Sequence, residues 1–159
     1  MKIFPTKHFK FTLNGNNPEK YIELLKSKTL ESNSLSTKST NKEFIGRING
    51  SYFEIIGSEI GIGAFIVLRG NFFNDAINIV AEINPPFKKL ISVLFILVIA
   101  SIAYNGFIIG FPAALGMLIP LMIFIGFVRF VFLRLFFYKA INLIFKKFTS
   151  LLNLNQTRI

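Results

Sequence analysis

The chain has no cysteine and no tryptophan, a single histidine, and no acidic residue after Glu82. Without cysteine, neither a disulfide nor a thiolate metal site can form. One histidine excludes a histidine metal cluster, and no Ser/His/Asp arrangement or phosphate-cradling glycine loop is present. Gly57, Gly61 and Gly63 are too loosely spaced, and lie between strands, for a nucleotide fingerprint. The N-terminal MKIFPTKHFKFT lacks the apolar core of a signal peptide, so the front of the chain is expected to stay on the side where it is made.

The missing acids make the charge lopsided. Residues 1–82 hold ten Lys or Arg against eight acids, whereas 83–159 hold eight basic residues and none of opposite sign. The net charge of +10 therefore gathers in the back half, where it flanks the longest uncharged run. Anionic lipid headgroups attract such residues, and nucleic acid is not implied as a partner.

That run is Leu90 to Val128, without Asp, Glu, Lys, Arg or His. A bilayer crossing takes roughly 20 apolar residues, so the run is too long for one span and suits two closely joined ones. The expected anchor covers 84–135. Its first span runs from about Leu90 to Ile109, and its turn falls near Asn105-Gly106 and Gly110-Phe111-Pro112. Pro112 suits the start of the second helix, and Pro120 sits inside it. Lys88, Lys89, Arg129, Arg134, Lys139, Lys146 and Lys147 flank the ends and none lies near the turn. That asymmetry places both ends in the cytoplasm of a bacterial inner-membrane protein, with a re-entrant hairpin as the alternative. Ser101, Gly106 and Gly110 are candidate helix contacts: Gly106 and Gly110 make a GxxxG, though one adjoining the turn.

The front, 1–83, reads as a small cytoplasmic α+β domain, an antiparallel sheet with one helix in the order β-α-β-β-β-β. Phe9, Phe11 and Leu13 alternate with Lys10 and Thr12, which predicts a half-buried strand with His8 on its outer face as an ordinary surface histidine. After Asn14-Gly15, Asn17 as N-cap and Pro18 at N1 open a helix to about Ser27, with Tyr21, Leu24 and Leu25 on one side. The Ser/Thr/Asn-rich stretch within 29–43 is expected to be a mobile link.

Next, FIGRINGSYFEII predicts a hairpin turning at Asn49-Gly50, with Phe44, Ile48, Phe53 and Ile55 on one face and Arg47 opposite Tyr52. Ala64–Gly70 and Ala76–Ile83 form a second pair, leaving Phe72 and Phe73 in a loop as candidate partner contacts or as rings folded over the core edge. Beyond the anchor, 136–159, residues Phe137, Ile141, Ile144, Phe145 and Phe148 recur at helical spacing against Lys139, Asn142 and Lys146. Two readings stand: a helix lying in the membrane interface, or one whose apolar side packs on the front domain.

FIGRINGSYFEII, a second strand pair and a two-span hairpin with a basic end together resemble a set of small bacterial membrane proteins without assigned activity. Those carry a strand–helix–strands domain before their hairpin; Gly61-Ile62-Gly63 departs from the polar or aromatic pair usual there. The resemblance implies architecture alone. The function expected is that of a non-enzymatic membrane protein displaying an interaction or sensing domain, such as an accessory subunit or an immunity-type protein. It implies no cofactor or metal. A protein partner is expected, and a homo-oligomer is allowed. The rival readings are an oligomeric transport or pore element, and a lipid-handling enzyme whose only candidate groups are Glu54, Glu59 and Glu82.

Overall fold

A computed structural model describes residues 4–13, 17–73 and 76–154; the expected Asn14-Gly15 turn lies outside them. These residues form two compact units, 5–84 with 137–154, and Phe4 with Pro85–Phe136.

The first unit is a mixed six-stranded sheet in the order β1-β6-β5-β4-β3-β2. It is built from β1 (Thr6–Thr12), β2 (Thr29–Glu31), β3 (Phe44–Asn49), β4 (Tyr52–Gly57), β5 (Ile66–Phe72) and β6 (Ala76–Ile83). Between β1 and β2 runs α1 (Pro18–Lys28), opened by the Asn17 side chain accepting from the Glu19 N–H at 3.0 Å. Of its expected apolar stripe only Leu25 is fully buried.

Two corrections to the expected domain follow. The sheet is not wholly antiparallel, because Thr29–Glu31 is a strand that pairs parallel to β3. The link after it is not loose either. Ser32 N–H donates to the Gly46 carbonyl and Glu43 N–H to the Lys28 carbonyl, so the segment returns the length of β2 between fixed ends. On the way, the Leu35 carbonyl accepts from Asn84 Nδ2 at 2.8 Å. Asn84 is fully buried and bonds the Ala64 carbonyl with the same amide. Its polar composition suggests disorder, but two backbone bonds and the Asn84 side-chain amide tie it to the sheet.

The β3–β4 hairpin exists with a register two residues from the expected one. Gly50-Ser51 form its turn, since Gly50 alone supplies a positive φ (+57°) while Asn49 stays in the ladder opposite Tyr52. Side chains alternate with period two, so the shift leaves both faces as expected. It does bring Arg47 directly opposite Glu54 rather than Tyr52.

One face of the sheet carries Phe9 and Phe11, Phe44, Phe53 and Ile55, Leu68, and Ile77, Ile79 and Ala81. Its cover is α4 (Leu133–Leu152), from which Phe137, Ile141, Ile144, Phe145, Phe148 and Leu152 are buried. The Phe145 ring lies 4.1 Å from Phe9 and 5.4 Å from Phe11, and that of Phe148 lies 5.6 Å from Phe53. Each such ring contributes about 1.5–3 kcal/mol by leaving water. The apolar stripe of α4 is therefore spent on the sheet, which corrects the interfacial reading of 136–159. Hydrophobic spacing alone does not distinguish lipid from protein as its occupant.

The second unit holds α2 (Pro85–Ile109), α3 (Phe111–Gly126) and a π-helical segment, Phe127–Phe132, that leads into α4. Gly110, with φ +103°, caps α3 and makes the reversal. Leu133 N–H donates to the Val128 carbonyl five residues back, the wider π spacing. Two helical runs, Pro85–Ile108 and Leu115–Leu152, are long and apolar enough to cross a membrane, and almost none of their most apolar stretches is buried within the protein.

Candidate functional site

The face of the sheet opposite α4, where Ile45, Ile56 and Val67 are also buried, carries the unit's densest polar chemistry. Arg47, Glu54 and Arg69 stand opposite one another on three successive strands, and Glu82 is Arg69's diagonal neighbour on the fourth. The Glu54 carboxylate, with a side chain only 7% exposed, is held from both sides. Arg47 Nη2 lies 2.9 Å from its Oε2, and Arg69 Nε lies 2.7 Å from its Oε1. Arg69 Nη1 also pairs with Glu82 Oε1. Two guanidinium forks thus satisfy two carboxylates, a charge-neutral ladder that staples four strands. Glu54 and Glu82 do come together in space, but through Arg69; Glu59 lies apart and pairs with Lys147 at 2.6 Å. Arg69 was not singled out from the sequence. The alternating signs Arg47, Glu54, Arg69, Glu82 at outward strand positions were the available signal, readable only once the registers were known.

The structure separates the two candidate phenylalanines. Phe72 ends β5, is buried, and packs 5.5 Å from the Phe53 ring, so it is a core residue and not a partner contact. Phe73 is half exposed and remains available. His8 is exposed on the edge strand β1, paired in register with Val80.

In the helical hairpin the polar side chains serve their own helix. Asn105 Nδ2 donates to the Ser101 carbonyl at 2.8 Å and Ser92 Oγ to the Lys88 carbonyl at 2.9 Å. Gly110 is committed to the reversal by its φ, whatever else approaches it. Around these, Leu97, Tyr104, Phe107, Ile119 and Met122 are each more than 60% exposed. Of the flanking basic residues, Lys89, Arg134, Lys139 and Lys146 are exposed, whereas Lys88, Arg129 and Lys147 are partly covered. Among the described residues no group of three His, Cys, Asp or Glu is placed to hold a metal.

No protein family, no curated protein and no solved structure matches the chain.

Proposed function

We propose that this is an integral membrane protein whose two-helix hairpin anchors a small cytoplasmic α+β domain, and that the domain works as an interaction or sensing module rather than an enzyme. The observation that carries the reading is the split origin of the sheet unit. Its strands come from 5–84 and its covering helix from 137 onward, with all of Pro85–Phe136 between. Two pieces that share one core must lie on the same side of a membrane, so the intervening segment crosses an even number of times. A pair of apolar, solvent-exposed helices reversed at Gly110 meets that requirement. The basic residues Lys88, Lys89, Arg129 and Arg134 at the open end favour the cytoplasmic side and anionic headgroups. Phe73, a half-exposed aromatic beside the β5–β6 connection, is the contact we assign to a protein partner in the inner membrane's cytoplasmic leaflet or beside it.

A photoreactive amino acid at Phe73 tests this in cells: one specific adduct is expected, and lipid adducts alone would overturn the partner assignment. A reporter fused at Met1 that appears outside the cell would overturn the topology. Conductance or solute movement by reconstituted protein would replace the reading with the transport one.

A further inference from the structure

Between the end of α1, the start of β3 and the second half of α4 lies an open groove of about 630 Å³. One wall is Lys28 and Glu43, joined by the Glu43 N–H to Lys28 carbonyl bond and an ion pair at 3.6 Å. The other is a single stripe of α4, with Lys146 and Lys147 set between the half-buried Leu143 and Leu151. Three lysines therefore line an apolar-edged space with the Glu43 carboxylate, and one of them, Lys147, is also paired with Glu59. From this juxtaposition we infer that the groove binds a phosphate ester bearing a neighbouring hydroxyl, the chemistry shared by a glycerophospholipid headgroup and a free glycerophosphate. The inference rests on the sensing role proposed above and supplies its ligand class.

The lysines are not equally engaged. Lys147 is held by Glu59 at 2.6 Å, and Lys28 pairs with Glu43 across two side chains that are 48% and 36% exposed, a pairing that water weakens. Lys146 has no acidic partner among the described residues. A phosphate in the groove gains the Lys146 ammonium without breaking an existing pair and draws Lys28 away at small cost. Glu43 faces the same space; it repels a bare anion and accepts from a hydroxyl, which is why the ligand class includes one. Leu143 and Leu151 offer an apolar edge to carbon atoms beside the phosphate.

The natural absence of cysteine allows a clean reporter: Ser150→Cys, at the groove's lining, carrying a trifluoroethyl label in the full-length chain. Its fluorine resonance is followed in neutral phosphatidylcholine nanodiscs titrated with glycerol 3-phosphate, and in discs with increasing phosphatidylglycerol. A saturable shift is expected in at least one arm, and the arm that responds identifies the source. Lys28→Ala and Lys146→Ala should each weaken it by about tenfold, the effect of losing one charge-assisted contact. Lys139→Ala, an exposed residue of α4 outside the groove, should leave it unchanged. All three remove exposed side chains, and an unaltered circular dichroism spectrum shows that they fold. No saturable shift in either arm, or equal weakening by Lys139→Ala, overturns the site. Cross-linking at Phe73 reads the partner independently, so a captured partner with a silent groove retires the groove alone.

Discussion

Asn84 is the residue on which the quietest part of the domain depends. Its amide bonds the carbonyls of Leu35 and Ala64 while its backbone N–H donates to Phe65, so three segments meet at one fully buried side chain. Replacing it with alanine leaves the buried Ala64 carbonyl and the part-buried Leu35 carbonyl without this donor, at about 1–3 kcal/mol. We expect Asn84→Ala to raise amide hydrogen exchange across 32–43 well before the sheet exchanges. Glu54 is a sharper case. Glu54→Leu strips both Arg47 and Arg69 of a shared partner, though Arg47 is half exposed and can hydrate. The expected loss is about 2–3 kcal/mol, below that of a fully buried pair, as a lowered urea midpoint in mild detergent. Gly70→Ala should cost about 1–3 kcal/mol by the same measurement, since a Cβ there would overlap the Phe53 ring.

At the scale of elements, α4 decides the domain. Phe148 is fully buried and meets Phe44 and Phe53 from above. Phe148→Ala should cost about 3–5 kcal/mol, seen as loss of the cooperative thermal transition near ambient temperature. The same mutation at exposed Phe136 should change it little. What could be read from the residues follows a physical line. Strong local signals survived: the Asn17-Pro18 helix start, β6 with its inward Ile77, Ile79 and Ala81, and the reversal at Gly110. Features made by distant contacts did not. Thr29–Glu31 is three residues long and becomes a strand only because β3 lies beside it. The partner of α4's apolar stripe was undetermined, because hydrophobic spacing registers that a surface must be covered and is silent about the cover. Lys28 and Glu43 went unremarked for the same reason, since only the fold brings α4 to them.

For the whole molecule, insertion of the hairpin into a bilayer is the property to test. The protein should resist alkaline carbonate extraction and require detergent in purification, and single cysteines placed at Ser51 and at Asn142 should both be labelled from the cytoplasmic side only. Ser51 lies in the β3–β4 turn and Asn142 is exposed on α4, so each is accessible in the folded domain. Opposite labelling of the two sites would demand an odd number of crossings, which a shared core does not permit.

The order of synthesis then acquires a meaning. When the ribosome has released Asn84, the six strands are complete but their aromatic side is bare, and the helix that closes it begins 49 residues later, at Leu133. If the hairpin inserts as proposed, the apolar middle of the nascent chain reaches the bilayer before Phe145 and Phe148 emerge to shut the sheet. A truncated product ending before Phe137 would leave that aromatic side bare and should be a substrate for chaperones and proteases, so a closed domain requires everything up to α4 to have been made.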